Sequence, residues 1–205
     1  MTQGGAAADT RERIAEEDLL RADLYRLLAT LLSKAPTADT LATCASLTGD
    51  ESDLGQGISA LATVAKSSNP KGAAREYNAL FIGLGRGELL PYASYYLTGF
   101  LNEKPLARLR SHMGEFGIER NPDVKEPEDH IATLCEIMSG LILGEYGSPL
   151  SVEDQHAFFN THVATWAPHF FKDLEAAEGS VFYAPVGKIG RAFMEIEIEA
   201  FRMEA

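Results

Sequence analysis

The residues best suited to chemistry are a short acidic stretch that ends in a histidine, Glu126-Pro127-Glu128-Asp129-His130. Its carboxylates and imidazole are suited to holding an arginine or a backbone carbonyl, because charge-assisted hydrogen bonds to a guanidinium are among the stronger polar contacts. A second interpretation is helix capping. Pro127 would begin a helix and place Glu128 and Asp129 in its first turn, where carboxylates complement the helix dipole. The sequence leaves both interpretations open.

A second candidate is the glycine-rich segment Gly83-Leu84-Gly85-Arg86-Gly87. It is similar to a phosphate-binding loop, but a dinucleotide site needs a preceding strand and a following helix in a βαβ unit. Here the segment follows a predicted helix, and no Lys-Ser/Thr pair completes a P-loop. We interpret residues 83–87 as a connection, and keep a slow nucleotide-binding or nucleotide-hydrolysing enzyme as the alternative.

The remaining histidines and the cysteines do not form a pattern typical of a metal or nucleophile site. His156, His162 and His169 are six and seven residues apart, whereas helical metal sites use pairs three or four apart. Cys44 and Cys135 are isolated, and neither has a local nucleophile signature. We therefore predict no cofactor, no metal ligand and no catalytic residue, and a binding protein rather than an enzyme.

The charge of the chain indicates the class of partner. Eighteen basic and thirty acidic side chains give its 205 residues a net charge of -12, which disfavours nucleic acid and steers cationic peptides toward the surface. Residues 1–10 lack the apolar stretch of a signal peptide, and no apolar run approaches the roughly 18–20 residues that span a bilayer. We expect a cytoplasmic protein with no nucleic-acid partner and no integral membrane segment.

The elements that position these residues are predicted to be helices, because apolar residues recur at spacings of three and four. We expect a disordered tail over residues 1–10. Residues 11–205 are expected to form an all-α, single-domain bundle of roughly eight to ten helices. Glu195-Ile196-Glu197-Ile198-Glu199 alternates with period two, but a lone strand would be marginal, so we predict helix there as well. The helices are predicted at 11–35, 37–47, 58–66, from 70 to the glycine-rich segment, 105–116, 127–143, 155–177 with a break near Pro168, and 186–203. The segment 94–101 is aromatic and is expected to be buried.

Four stretches together resemble the TorD/DmsD family of redox-enzyme maturation chaperones, which is related to the NarJ group. They are Tyr77-x-x-Leu80-Phe81, the glycine-rich segment, Pro91-Tyr92-Ala93-Ser94-Tyr95-Tyr96 and residues 126–130. The aromatic-rich segment 156–171 is similar to the family's C-terminal half. The resemblance covers most of the chain from about residue 12. It implies an all-α cytoplasmic protein that binds the twin-arginine signal peptide, and often the apo form, of a molybdenum-cofactor enzyme, shielding the leader during cofactor insertion before export.

The resemblance also implies which residues line the peptide cleft. A twin-arginine leader is an arginine pair followed by a moderately apolar stretch, so it needs acid for the first part and an apolar groove for the second. Tyr77 and Tyr92 stand where relatives often have tryptophan. The implied cleft residues are Tyr77, Leu80, Phe81, Pro91, Tyr92, Ser94, Tyr96, Asp129 and His130, with Glu126 and Glu128 beside Asp129 as further acids.

Several alternatives stay open at this point. A purely structural helical adaptor is one, and the client enzyme is not identified. A monomer and a domain-swapped homodimer both agree with the sequence. From the sequence we expect Asp129→Ala to weaken peptide binding more than it weakens the fold.

Overall fold

The computed structural model describes residues 14–120 and 124–203, and within them it contains α-helices and no β-strand. The predicted all-α class is therefore confirmed, and the number of helices lies in the predicted range. The predicted tail, residues 1–10, lies outside the described residues, and the single domain over 11–205 stays a prediction. The helices are α1 (Glu16–Ser33), α2 (Ala38–Ala45), α3 (Asp53–Ser67), α4 (Pro70–Tyr77), α5 (Ala93–Thr98), α6 (Lys104–Glu115), α7 (Ile131–Leu143), α8 (Val152–His162), α9 (Ala167–Ala176) and α10 (Tyr183–Met203).

Helix α7 lies at the centre of the bundle. Eleven of its thirteen residues are buried, as expected for a helix that is apolar on nearly all sides. It packs along α1, while α10 packs against α9 and α3. The contact between α9 and α10 is close because Gly190 has no side chain: a Cβ there would lie 2.1 Å from Cδ1 of Phe171. Among the described residues, none of these helices is both long and apolar enough to cross a bilayer.

The start of α7 corrects one sequence interpretation. The helix begins at Ile131 and not at Pro127, and its N-cap is His130, whose Nδ1 accepts a hydrogen bond from the backbone N–H of Ala132 at 3.1 Å. Glu128 and Asp129 therefore precede the helix. Their predicted role as first-turn complements of the helix dipole is wrong.

Helix α3 begins five residues earlier than predicted. Ser52 caps it by accepting from the backbone N–H of Gly55 at 3.0 Å. Gly55 and Gly57 resemble a break in the sequence, yet both are helical and buried. At Gly57 an added Cβ would lie 3.0 Å from Ile189, so the glycine lets α3 approach α10 closely.

Helix α4 passes directly into a π-helical turn, Asn78–Ile82, at the position of the first aromatic motif. The turn ends at Gly83, whose N–H donates to Asn78 O at 2.7 Å and whose φ is +63°. A Cβ at Gly83 would lie 1.9 Å from Arg86 O, so the backbone turns sharply there. Single π turns are frequent at functional sites. Here the turn directs the aromatic motif toward the segment that precedes α5.

Candidate functional site

The segment before α5 and the segment before α7 pair with each other. The N–H of Ala93 donates to Asp129 O at 3.0 Å, and the N–H of Ile131 donates to Pro91 O at 2.8 Å. These bonds make an isolated antiparallel β-bridge between the two segments. Two motifs that are more than thirty residues apart in sequence therefore form one structural unit, which we call the bridge.

The side chain of Asp129 reinforces the bridge from inside. Its Oδ2 accepts a hydrogen bond from the backbone N–H of Ser94 at 2.8 Å and another from the Ser94 hydroxyl. Asp129 is 1% exposed and Ser94 is fully buried. These two bonds occupy Oδ2, so Asp129 is a residue that positions the bridge. Besides the effect on peptide binding expected from the sequence, Asp129→Ala is therefore expected to affect the fold.

We expect Asp129→Ala to lower the free energy of unfolding by about 2–3 kcal/mol. The substitution leaves the buried N–H and hydroxyl of Ser94 without an acceptor, and unmade buried hydrogen bonds to a charged group carry a cost of this order. Urea unfolding followed by circular dichroism measures the change. Asp39→Ala, which removes an exposed carboxylate from α2, is the matched control and is expected to cost less than about 1 kcal/mol. Equal costs for the two variants would contradict the positioning role.

Next to the bridge lies an open cavity of about 500 Å³, which we call the leader cavity after the peptide that the sequence resemblance implies. The cavity reaches from the π turn across the bridge to the first turns of α7. It brings together six of the eleven residues predicted for the peptide cleft: Tyr77, Phe81, Pro91, Tyr92, Glu126 and His130.

Aromatic side chains form one wall of the leader cavity. The rings of Tyr77 and Phe81 lie 5.0 Å apart, and the ring of Phe81 meets Tyr183 edge-on at 5.3 Å. Across the bridge, Tyr92 and His130 form a T-shaped pair at 5.1 Å. Such packing fixes the orientation of the rings. The wall is therefore a preformed apolar surface.

Two carboxylates give the leader cavity its acidic character. Glu126 is exposed and accepts a hydrogen bond from the Tyr92 hydroxyl. Burial and the Glu126 carboxylate both raise the pKa of Tyr92, so the phenol stays protonated and keeps donating. Glu136, one and a half turns into α7, lines the same cavity, and partial burial raises the pKa of its carboxyl. With Lys125 also in the wall, the three charged side chains sum to one negative charge.

His130 presents a neutral imidazole to the leader cavity. Burial lowers its pKa to about 4, so the ring is uncharged at neutral pH. Because Nδ1 accepts from the backbone N–H of Ala132, the proton is on Nε2. That N–H is a donor suited to a backbone carbonyl of a bound peptide.

The depressed pKa of His130 predicts a pH-dependent stability. The unfolded state takes up a proton near pH 6.5 and the folded state only near pH 4, so the stability of the fold falls as pH drops through this window. We expect the free energy of unfolding to fall by about 2 kcal/mol more between pH 7 and pH 5 in the wild type than in His130→Asn. Asparagine keeps an N-cap acceptor but does not titrate. Urea unfolding at both pH values measures the difference, and parallel losses in both proteins would contradict the assignment.

Three of the predicted cleft residues lie away from the leader cavity because they pack into the protein. Leu80 is a buried residue of the hydrophobic core. Ser94 is bonded to Asp129, as described. Tyr96 packs against Trp166 at 5.4 Å, and its hydroxyl donates to Asp173 at 2.9 Å.

The other two predicted residues outside the leader cavity are acids. The buried carboxylate of Glu128 lies between two arginines of its own chain, 2.9 Å from Arg110 and 2.7 Å from Arg120. Asp129 lines a different cavity on the far side of the bridge. Of the three acids predicted for the cleft, Glu126 lines the leader cavity, whereas Glu128 and Asp129 do not, and Glu136 is the second carboxylate there.

Sequence reasoning missed several residues of the leader cavity. Ile82, at the end of the π turn, extends the apolar wall, and Glu136 supplies the second acid. The missed residues are Ser33, Ile82, Val124, Lys125, Ala132, Thr133 and Glu136. Of these residues, only Glu136 could have been found from the sequence, because it is the only charged residue in the otherwise apolar sequence of α7.

The glycine-rich segment does not have the geometry of a phosphate-binding loop. It follows a π turn and not a strand, and the next helix, α5, has only six residues. The Arg86 guanidinium donates to the Tyr95 hydroxyl at 2.6 Å and lies over its ring. The segment is therefore held by contacts of its own chain.

The histidine series does not gather into a metal site. His162 Nε2 lies 2.9 Å from Nδ1 of His112, a pair that the sequence did not predict. In residues 14–120 and 124–203, no group of three or more histidine, cysteine or acidic side chains has the geometry to hold a metal ion.

The sequence of the chain is similar to a known protein family and to several proteins named as chaperones. A model of the nitrate reductase delta subunit family matches residues 48–172. The chain is 30% identical over 129 residues to the chaperone protein TorD of Vibrio cholerae and 31% identical over 132 residues to that of Photobacterium profundum. These matches cover 60% of this chain and about three fifths of the length of each relative. The chaperone protein TorD of Aliivibrio fischeri is 26% identical over 202 residues, which cover 87% of this chain and 93% of that protein.

A solved structure shares the fold. The crystal structure assigned to a redox enzyme maturation protein of Archaeoglobus fulgidus superposes with a TM-score of 0.56 at 23% identity. The superposition covers 85% of this chain and 93% of that one. At this level of identity the likeness bears on the fold alone.

Proposed function

Because the chain belongs to the nitrate reductase delta subunit family, we propose that it is a maturation chaperone whose leader cavity binds the twin-arginine signal peptide of a molybdenum-cofactor enzyme. The observation that carries this proposal is the meeting of an aromatic wall and two carboxylates in one cavity of about 500 Å³. The curated relatives described above are named as chaperones, which agrees with a binding role.

The chemistry of the leader cavity suits both parts of such a peptide. Glu126 and Glu136 provide acceptors for the arginine pair, since guanidinium–carboxylate contacts are charge-assisted and directional. Tyr77, Phe81 and Ile82 provide the apolar surface for the stretch that follows, as in helix-in-groove recognition. The Nε2–H of His130 donates to a peptide carbonyl. The peptide is bound and released unchanged.

The charge of the whole chain supports the same partner. A net charge of -12 attracts a cationic leader over a distance set by the salt concentration, and it repels other acidic proteins. In this proposal the encounter takes place in the cytoplasm, before export, and the client is the apo enzyme that carries the leader.

Tyr92→Ala is expected to weaken leader binding about 5- to 20-fold. The ring of Tyr92 forms part of the cavity wall and packs on His130, and losing a buried aromatic contact typically costs about 1–2 kcal/mol. Fluorescence anisotropy with a labelled leader peptide measures the dissociation constant. Tyr92→Phe keeps the ring and is the matched control, with binding within about twofold of the wild type. An unchanged dissociation constant for Tyr92→Ala would remove Tyr92 from the site.

A further inference from the structure

A second cavity of about 240 Å³ lies on the other side of the bridge, among α5, α6, α7 and α8. We call it the rear cavity. Asp129 lines it, and the carboxylate oxygen that does not bind Ser94, Oδ1, is buried without a hydrogen-bond partner among the described residues. A buried unpaired acceptor is costly. It therefore marks a position where a donor from outside would be stabilised.

Apolar side chains make up much of the lining of the rear cavity. Leu97, Pro105, Leu109 and Leu134 form the walls. The nearby hydroxyl of Thr98 donates to Ser94 O at 2.8 Å, within α5, so it does not supply the missing donor. The rear cavity is thus mainly apolar, with Asp129 as its carboxylate and with Thr161 and His162 also in its wall.

The mouth of the rear cavity has the opposite charge to the rest of the molecule. Lys104 and Arg108 line it from successive turns of α6, and both are exposed. Next to them the surface continues in exposed apolar side chains, with Leu97 44%, Phe100 70% and Leu101 41% exposed. On a chain with a net charge of -12, a basic and apolar patch of this kind is suited to an acidic partner.

We propose that the rear cavity receives a tyrosine or tryptophan side chain from an acidic segment of a partner protein. The aromatic body would fill the apolar walls, while its O–H or N–H donates to Asp129 Oδ1. Neighbouring carboxylates of the segment would pair with Lys104 and Arg108. Aromatic anchors with a polar tip are typical of the buried centres of protein interfaces.

The size of the rear cavity argues against a cofactor as its occupant, and the charge at its mouth argues against the twin-arginine leader. The rear cavity is smaller than the roughly 300–1,000 Å³ of sites for drug-sized ligands, so one side chain fits it better than a cofactor. A twin-arginine leader is cationic, and Lys104 and Arg108 repel it. The partner segment is therefore distinct from the signal peptide, and the inference does not depend on the proposed function of the leader cavity.

The test uses a labelled, end-blocked pentapeptide with the sequence Asp-Glu-Tyr-Glu-Asp and the full-length protein in fluorescence anisotropy. We expect saturable binding, at least fivefold weaker binding when the central tyrosine is replaced by phenylalanine, and no binding when the four acids are replaced by their neutral amides, asparagine and glutamine. Arg108→Glu is expected to weaken binding at least fivefold. Arg75→Glu, which reverses an exposed charge on α4, is the matched control and should bind like the wild type.

Two results would overturn the proposal. The first is no saturable binding of the tyrosine peptide, which would mean that Oδ1 is satisfied by water or by a side chain of this chain. The second is equal binding of the tyrosine and phenylalanine peptides, which would remove the donor from the interaction. Leader binding by Arg108→Glu, measured in parallel, is expected to match the wild type, so failure here is distinguishable from failure of the leader site.

Discussion

Replacing Glu126 and Glu136 together by glutamine is expected to weaken binding of a twin-arginine leader about 10- to 100-fold. The two carboxylates lie in the wall of the leader cavity, and removing both leaves the arginine pair with neutral acceptors only. Hydrogen bonds to charged groups contribute about 1.5–3 kcal/mol each when well shielded and less when exposed. A combined loss of about 1.4–2.8 kcal/mol corresponds to the stated range.

The control for this pair must remove the same net charge elsewhere. Glu51 and Glu153 are both exposed, the first before α3 and the second in the first turn of α8. The double variant Glu51→Gln/Glu153→Gln should bind the leader within about twofold of the wild type at physiological salt. If both double variants weaken binding equally, the carboxylates act only through the overall field of the protein and not as direct acceptors.

Glu197→Ala is expected to lower the free energy of unfolding by about 3–5 kcal/mol, the largest effect on stability. Glu197 is 1% exposed and accepts from Nε and Nη2 of Arg21 at 2.7 and 2.9 Å. It also accepts from the hydroxyl of the buried Tyr25 at 2.9 Å. Removing the carboxylate leaves a partly buried guanidinium without its main partner, and breaking such a pair is far more costly than replacing both members.

Urea unfolding of Glu197→Ala beside Glu195→Ala checks this prediction. Glu195 lies on the exposed side of α10 and pairs with Arg191 at 3.2 Å. Exposed pairs of this kind contribute at most about 1 kcal/mol. A cost for Glu197→Ala no greater than that for Glu195→Ala would show that the network around Arg21 is not a source of stability.

Glu195 and Glu197 show why the hydrophobic pattern of the sequence could not predict the ion pair between Glu197 and Arg21. Segment 195–199 alternates like a strand, but we predicted a helix because the sequence contains no second strand to pair with it. That prediction is confirmed, since the segment lies within α10. In a helix, residues two apart lie about 200° apart around the axis, so Glu197 faces away from Glu195 and Glu199. Glu197 is buried on that inner face. Its partners, Arg21 and Tyr25, come from α1 at the other end of the sequence, and periodicity does not reveal them.

The start of α7 is a second feature that the local sequence did not predict correctly. Proline at a first helical turn is a common signal, and Pro127 predicted a start four residues before the actual one. The helix starts later because the backbone groups of Asp129 and Ile131 form the hydrogen bonds of the bridge with the segment before α5. Local signals cannot report a pairing with a segment more than thirty residues away.

For the leader cavity, the sequence predicted the aromatic motif and the bridge segments but not which acid lies beside them. Glu126, Glu128 and Asp129 are neighbours in sequence, yet only Glu126 lines the leader cavity. Two arginines hold Glu128 and Ser94 holds Asp129. The direction of each carboxylate depends on these tertiary partners, which spacing does not encode.

The most direct test of the account is calorimetric titration of the protein with twin-arginine leader peptides from candidate molybdenum-cofactor enzymes, beside the same peptides with both arginines replaced by lysine. We predict saturable binding of one leader, at least tenfold weaker binding of its lysine form, and competition between the two for one site. Lysine keeps the charge but loses the fork of guanidinium donors, so this comparison isolates the recognition of arginine. Equal affinity for both forms, or no binding of any leader, would contradict the proposal that the leader cavity recognises a twin-arginine signal peptide.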